Sequence, residues 1–431
     1  MLCATCEGEF SERADCNAQA GAPSIINTPD LPAETDATPQ IHRRKTPSNK
    51  LLLLLIFAAG ALVALGFFGF RILLSTHSAS AESAAPVVAG QSHTAVLRDD
   101  GTVWSWGSNL RGALGDGTTI NRSTPVQAEG LRGVTAIAAN LAYTVALRDD
   151  GTVWVWGWNE DGQLGDGTTT DRYTPAQVQD LDNITAIAAG PRHTVALRND
   201  GTVWAWGSNE FGALGDGTTT SRHTPAQVQG LSDVIAIAAG IRHTLGLRED
   251  GTVWAWGSNF RGELGNGTIA QHNTPAQVQG LSDIIAIAAG TNFSVALRED
   301  GTVWAWGNNR SGGLGDGTRI DRHTPVQIQD LDDITAIAAG PDHTFALRSD
   351  GTVWAWGDNR FGSLGDGTTV DRHTPVQVET LSSVTAIAAG SHHSVALREG
   401  GTVWTWGWNE EGQLGDGTRT NRLSPVRVRG F

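Results

Sequence analysis

The chain of 431 residues is long enough for more than one domain, and its formal net charge is −15. An acidic surface repels phosphate backbones, which argues against sequence-independent binding of nucleic acid, so we expect no nucleic-acid partner. All three cysteines lie within the first 16 residues, so the rest of the chain cannot form an internal disulfide.

Residues 1–21 resemble a degenerate form of the short zinc ribbon that opens many bacterial membrane proteins. Cys3 and Cys6 have the two-residue gap of a tetrahedral zinc site, and Cys16 would supply a third thiolate. The position of the fourth ligand holds Gln19. The cysteines are therefore candidate zinc ligands, and a partly disordered tail without metal is the alternative.

Residues 22–50 are polar and rich in proline, which is typical of a disordered linker. The apolar run over 51–74 then predicts one transmembrane helix, followed by a second linker over 75–85. Arg43, Arg44, Lys45 and Lys50 precede the run, so we expect the N-terminus in the cytoplasm and the remainder of the chain outside it. A cleaved signal peptide and a buried core helix are the alternatives, and the long charged leader and the lack of a polar face disfavour them.

One motif then recurs every 50 residues without insertion or deletion, which indicates a repeat architecture over 86–431. Fourteen of the 16 tryptophans belong to its Trp-x-Trp pairs, and the other two are Trp158 and Trp408. The motif Gly-Thr-Val-Trp begins at Gly101, Gly151, Gly201, Gly251, Gly301, Gly351 and Gly401.

Each repeat predicts four short strands, A to D. In the second repeat these are the small apolar run 134–139, the alternating run 144–148, the tryptophan strand 153–157 and the proline-containing edge strand 174–178. Asp150-Gly151 between strands B and C predicts a type I′ hairpin turn. Seven such units without helices predict an all-β, seven-bladed β-propeller, with the small residues of strand A at the axis.

The recurring pattern Ala-Ala-Gly-x-x-His-Thr/Ser-x-Ala-Leu-x-x-Asp-Gly-Thr-Val-Trp-x-Trp-Gly resembles the regulator of chromosome condensation repeat, and the resemblance covers nearly all of 86–431. It implies a seven-bladed propeller. The family's nuclear founder is a guanine nucleotide exchange factor that binds chromatin, whereas the repeats here are acidic and follow an apparent membrane span. A secreted bacterial inhibitor of β-lactamases, similar in setting, implies binding of a protein through loops on one face.

The polar residues that recur in the repeats indicate a structural role rather than a catalytic or ion-binding one. Histidine recurs at the start of strand B, but Tyr143 and Phe293 fill the same position in two repeats, which favours packing or hydrogen bonding over catalysis. The Gly-Asp-Gly-Thr loops occur in every repeat, once with Asn266, and indicate a structural turn rather than an ion site. We therefore expect neither an enzyme nor a cofactor in the repeats.

The loops between strands A and B and between C and D vary among repeats, and strand alternation places both on one face. Exposed tryptophan, arginine and phenylalanine there are typical of binding sites, and drift after duplication is the alternative. We predict a monomeric, membrane-anchored, extracytoplasmic module that binds a protein partner. The alternatives are an exchange-factor or chromatin role and binding of cell-wall glycan. The candidate binding residues are Trp158, Phe211, Phe260, Phe361, Trp408, Arg111, Arg261, Arg310 and Arg360.

Overall fold

The computed structural model describes residues 86–431. The predicted zinc-ribbon-like segment, both linkers and the predicted transmembrane helix lie outside the described residues. Within 86–431, no helix is long and apolar enough to cross a membrane. Residues 86–431 instead form 28 strands in seven four-stranded antiparallel sheets, and each sheet contains four consecutive strands. The seven-bladed propeller predicted from the 50-residue period is confirmed.

The strands follow one pattern in every blade, with strand A first and strand D last. Blades 1 and 2 comprise β1 Val87–Ala89, β2 His93–Leu97, β3 Val103–Gly107, β4 Arg122–Gln127, β5 Val134–Asn140, β6 Tyr143–Arg148, β7 Val153–Gly157 and β8 Arg172–Gln177. Blades 3 and 4 comprise β9 Ile184–Ala189, β10 His193–Arg198, β11 Val203–Gly207, β12 Arg222–Gln227, β13 Val234–Ala239, β14 His243–Arg248, β15 Val253–Gly257 and β16 His272–Gln277. Blades 5 and 6 comprise β17 Ile284–Ala289, β18 Phe293–Arg298, β19 Val303–Gly307, β20 Arg322–Gln327, β21 Ile334–Ala339, β22 His343–Arg348, β23 Val353–Gly357 and β24 Arg372–Gln377. Blade 7 comprises β25 Val384–Ala389, β26 His393–Arg398, β27 Thr402–Gly407 and β28 Arg422–Arg427.

The turn between strands B and C differs from the prediction. In blade 2, Gly151 has φ +77°, but Asp150 does not have positive φ, as a type I′ turn would require at both central residues. The amide of Gly151 donates to the oxygen of Arg148 at 3.0 Å, and the amide of Arg148 donates to the oxygen of Thr152 at 3.0 Å. This three-residue loop with a left-handed glycine suits the hairpin equally well, because the Asp150 carboxylate also accepts the Thr152 amide and hydroxyl.

The two tryptophans of each strand C have different environments, which the period-two pattern does not distinguish. In blade 3, Trp206 is fully buried and packs against Val145, Val153 and neighbouring aliphatic residues of blade 2. Trp204 is only half-buried, and the Arg198 guanidinium lies 5.4 Å from its ring centroid. The second indole of each pair is therefore the one that joins adjacent blades.

The buried indoles form a closed ring of hydrogen bonds around the propeller. Each indole N–H donates to a main-chain oxygen of the preceding blade at 2.7–2.9 Å. The pairs are Trp106 with Gln413, Trp156 with Ala113, Trp206 with Gln163, Trp256 with Ala213, Trp306 with Glu263, Trp356 with Gly313 and Trp406 with Ser363. A strand-B hydroxyl donates to the same oxygen, as Thr94 does to Gln413 at 2.8 Å.

No strand is exchanged where the two ends of the ring meet. Blade 1 holds only β1–β4 and blade 7 only β25–β28. The junction is closed by the Trp106 hydrogen bond and by Phe431, whose ring centroid lies 5.7 Å from that of Trp106. Side-chain contacts therefore close the propeller in the same way as they join its other blades.

Candidate functional site

The recurring histidines have a structural role, as the sequence predicted. His193 is buried, and its Nε2 lies 3.1 Å from the Thr244 hydroxyl of the next blade. Burial lowers the pKa of His193 to about 4, so the ring is neutral at pH 7. A Cβ at Gly190 would lie 2.5 Å from the imidazole, which explains why glycine ends the turn beneath the ring. A neutral, enclosed imidazole of this kind links blades and is not accessible to a substrate.

The Gly-Asp-Gly-Thr loops are also filled by their own side chains. The Asp116 carboxylate accepts hydrogen bonds from the Thr118 amide at 3.0 Å, the Thr118 hydroxyl at 2.7 Å and Arg122 Nη2 at 2.8 Å. Burial alone would raise the pKa of Asp116, but the hydrogen bonds from Thr118 and Arg122 outweigh it and lower that pKa. In residues 86–431 no group of three or more His, Cys, Asp or Glu residues could hold a metal ion.

The propeller has two faces of different character. The loop face comprises the A–B loops and the C–D loops, which touch each other: the amide of Trp158 donates to the oxygen of Ala142 at 2.9 Å. The turn face comprises the B–C turns, the D–A turns and the last residues of the chain. When the strand ends are counted with the loops they adjoin, the turn face carries 20 Asp and Glu residues against ten arginines, whereas the loop face carries 17 against 14. Excess negative charge is therefore concentrated on the turn face.

Exposed large apolar side chains show the opposite distribution. Among residues 86–431, six lie in C–D loops, two are second residues of a strand D next to those loops, and only Ile285 lies towards the turn face. Phe260 is 59% exposed and Leu110 is 69% exposed. The eight on or beside the loop face are Leu110, Ile120, Tyr173, Phe260, Ile269, Ile320, Val370 and Leu423. Apolar exposure of this kind is typical of interaction surfaces.

The predicted aromatic residues form two groups on the loop face. Phe211 and Phe260, from blades 3 and 4, make an edge-to-face contact with ring centroids 5.7 Å apart, and the Arg242 guanidinium lies 4.4 Å from the Phe211 centroid. Phe361 and Trp408, from blades 6 and 7, lie 6.2 Å apart, and the ring of His392 forms a triangle with them. The His392 ring is 4.9 Å from Phe361 and 6.2 Å from Trp408.

The expectation that Trp158 is an exposed binding residue is wrong. Its side chain lies in the loop face but is only 7% exposed, because Arg192 from the next blade covers the ring at 5.5 Å. Arg192 is in turn 3.4 Å from the Asp161 carboxylate. Trp158, the first residue after strand C, therefore contributes to packing between blades.

The four predicted arginines differ in how firmly they are held. Arg111 is exposed and pairs with Glu160 at 3.0 Å, and Arg261 is half-buried and lies 3.4 Å from Asp321. Arg360 is 65% exposed and pairs with Asp358 at 2.8 Å. Arg310 is exposed, and among the described residues it has no ion-pair partner within 4.0 Å. The structure does not gather them at one point, since they lie on blades 1, 4, 5 and 6.

Sequence reasoning missed His392, which lies beside the second aromatic group, and the acidic pair Asp342 and Asp358 in the loops of blade 6. The amide of Asp358 donates to the oxygen of Asp342 at 2.9 Å, which brings the two residues together. Burial and then the Asp358 charge raise the pKa of Asp342, whereas burial lowers the pKa of His392. The sequence did contain a signal: among the seven blades, only blade 6 has an acidic residue both in the A–B loop, at Asp342, and at the start of the C–D loop, at Asp358.

The fold is that of a seven-bladed propeller, and the family models agree. The RCC1-like domain matches 179–431, and the regulator of chromosome condensation (RCC1) repeat matches 100–147 and 150–197, with a second model of that repeat over 134–163. The chain belongs to the RCC1-like family.

Solved structures show the same fold. Prp20p from Saccharomyces cerevisiae is 25% identical, with a TM-score of 0.68 over 80% of this chain and 88% of that chain; it is described with its binding to Gsp1p and histones. The structure of Kap60 bound to yeast RCC1 (Prp20) gives 23% identity and a TM-score of 0.70, covering 86% of this chain and 92% of that chain. Human WBSCR16 gives 24% identity and a TM-score of 0.69, covering 76% and 94%. No curated protein sequence matches the chain significantly.

Proposed function

We propose that the chain is a non-catalytic propeller that binds a protein partner through its loop face. The observation that carries the proposal is the distribution of exposed large apolar side chains, nearly all of which lie on or beside that face. Desolvation of such side chains is a main source of affinity at protein interfaces. The binding of Gsp1p and histones by Prp20p supports the idea that a propeller of this fold can bind proteins.

The proposal includes display of the propeller outside the cytoplasm on an N-terminal membrane anchor. It is supported by the sequence alone: an apolar run over 51–74 with Arg43, Arg44, Lys45 and Lys50 before it. Protease added to cells with a permeabilised outer envelope should then digest the repeats and spare the N-terminus. Protection of the repeats would contradict this part of the proposal.

Paired variants of the full chain test the binding face. The loop-face variant carries Phe260→Ala and Trp408→Ala. The matched turn-face variant carries Asp283→Asn and Asp333→Asn, since asparagine tolerates their φ of 58° and 56°. We expect the protein captured by the wild type from its own cells to be lost with the first variant and retained with the second.

The reverse result, loss with the turn-face variant alone, would overturn the face assignment. Both variants should keep the thermal transition of the wild type within a few degrees, which separates lost binding from lost folding. A glycan array with the same proteins distinguishes the glycan-binding alternative, for which signal on the array would replace capture of a protein.

A further inference from the structure

The loop face repeats one side-chain contact between neighbouring blades. The fourth residue after a strand C contacts the third residue after the next strand C. At the junction of blades 1 and 2 these residues are Arg111 and Glu160, which form an ion pair at 3.0 Å. At the junction of blades 3 and 4 they are Phe211 and Phe260, whose ring centroids lie 5.7 Å apart. The contact therefore follows from the geometry of the repeat rather than from the type of residue.

The junction of blades 4 and 5 has the opposite charge balance to that of blades 1 and 2. Because the repeats contain no insertion or deletion, the corresponding residues here are Arg261 and Arg310. Arg261 lies 3.4 Å from the Asp321 carboxylate, as Arg111 lies 3.2 Å from Asp171. The first junction thus combines one guanidinium with two carboxylates, whereas this junction combines two guanidiniums with one carboxylate. It lacks a carboxylate that the chain itself supplies at its counterpart.

Most loop-face arginines are already paired. Among residues 86–431, eleven of the 14 form an ion pair with a carboxylate. The three without such a pair in this part of the chain are Arg242, Arg310 and Arg419. Arg242 lies 4.4 Å from the centroid of Phe211, the ring that contacts Phe260. Two of the three unpaired arginines therefore belong to loops that adjoin Phe260.

A count of all loop charges gives the same result. With strand ends counted as above, the loop face of blades 3–5 carries seven arginines against five Asp and Glu residues, whereas the other four blades carry seven against twelve. Of the five acids, Asp216, Asp316 and Asp321 are ion-paired. Glu263 is buried and accepts the Ser258 hydroxyl at 2.7 Å, and Glu210 is exposed. The surface around Phe260 is therefore net positive, although the propeller as a whole is acidic.

We propose that the loop face of blades 3–5 binds an acidic segment of a protein partner. A carboxylate of the segment would lie on Arg261 and Arg310, and an apolar side chain would lie against Phe260, which is 59% exposed. A guanidinium can hold a carboxylate through two parallel hydrogen bonds, and desolvation of an aromatic ring adds affinity. The inference rests on the proposed function, since it names the chemistry of one contact of the loop face.

A fluorescent peptide, Gly-Ser-Glu-Phe-Glu-Gly-Ser, serves as the probe in anisotropy titrations with the full chain. Its matched control has glutamine in place of both glutamates, which keeps the shape and removes the charge. We expect the glutamine peptide to bind about tenfold more weakly, the change that corresponds to about 1.4 kcal/mol. Equal binding of the two peptides, or no binding of either, would overturn the proposal.

Variants locate the site. Arg310→Glu introduces the residue that blades 2, 3 and 7 have at this position, and it should weaken binding of the glutamate peptide about tenfold. Arg419→Glu makes the same charge change at the unpaired arginine of blade 7 and should leave binding unchanged. Equal loss with the two variants would show attraction by bulk charge and overturn the proposal. Unchanged binding by Arg310→Glu would also overturn it.

Arg310→Glu should retain the thermal transition, because the new carboxylate can pair with Arg261 as Glu160 pairs with Arg111. If the variant does not fold, the comparison of the two peptides decides alone. Failure here is distinguishable from failure of the proposed function, because the peptide titration does not involve the natural partner. Equal binding of the two peptides by a chain that still captures its partner would overturn only this inference.

Discussion

Trp106 donates its indole N–H to the main-chain oxygen of Gln413 at 2.8 Å, across 307 positions of the chain. The same bond joins Trp156 to Ala113, and an equivalent bond is present at each of the remaining junctions. The last junction therefore differs from the rest in chain connectivity but not in the contact between blades. The acceptor lies in a C–D loop but is a main-chain oxygen, so the side chain at that loop position can vary without loss of the bond.

The two tryptophans of strand C are expected to differ in their contribution to stability. Trp256 is fully buried and hydrogen-bonded to the preceding blade, so Trp256→Ala should lower the free energy of unfolding by about 3–5 kcal/mol. Trp254 is half-buried under Arg248, and Trp254→Ala should cost about 1–2 kcal/mol. Denaturant unfolding measures both, and equal costs would contradict the distinction.

Replacement of the strand-B histidines by phenylalanine should stabilise the fold at one position and destabilise it at another. Blade 5 already has phenylalanine at this position, as Phe293. Both ring nitrogens of His343 are buried, and they have no hydrogen-bond partner within the described residues, so His343→Phe should stabilise the fold by about 1 kcal/mol. His193→Phe removes the contact with Thr244 and should destabilise it by a similar amount. A loss of stability in both variants would show that ring shape, not hydrogen bonding, decides.

One blade replaces the aspartate–arginine pair of the Gly-Asp-Gly-Thr loop with an uncharged asparagine and a histidine. Blade 5 pairs Asp316 with Arg322 at 2.7 Å, whereas blade 4 pairs Asn266 with His272 at 3.1 Å. Asp316→Asn alone should cost about 1–2 kcal/mol, because it leaves Arg322 without its charged partner. Adding Arg322→His should restore part of that loss in a double-mutant cycle. Strictly additive effects would mean that the two side chains do not interact.

The free energy of unfolding should decrease as the pH is lowered below neutrality. Burial lowers the pKa of His193 to about 4 and that of His243, His343 and His393 to about 3, while unfolding returns them towards the ordinary value of 6.5. The unfolded chain therefore binds more protons between about pH 6.5 and pH 4, so the free energy of unfolding decreases as pH decreases through that range. Equal denaturant midpoints at pH 7.5 and pH 5 would contradict this expectation.

The sequence predicted the blade number, the strand order, the axial small residues and the structural histidines, because each follows from a 50-residue period and simple alternation. A cavity on the axis is lined by small residues such as Ala89, Gly90 and Gly240. Strand D begins at Arg172 in blade 2, two residues before the predicted start. Its arginine pairs with Asp166, a contact that no local pattern shows.

The loop face was less predictable because its contacts join different blades. Trp158 is buried only because Arg192 folds over it, and the two residues are 34 positions apart. Phe361, His392 and Asp342 come from three separate loops of blades 6 and 7. Residue type indicated which side chains suit an interface, but only the folded ring shows which of them remain exposed.

The most direct test of the account is a map of partner contacts by site-specific photocrosslinking in the full chain. A photoreactive phenylalanine analogue replaces Phe260 or Leu110 on the loop face, or Glu249 or Glu299 on the turn face, which are exposed and do not have positive φ. The protein is irradiated in its own cells. The account predicts crosslinks to one protein from the loop-face positions and none to it from the turn-face positions. Crosslinks to a shared protein from the turn-face positions alone would contradict it.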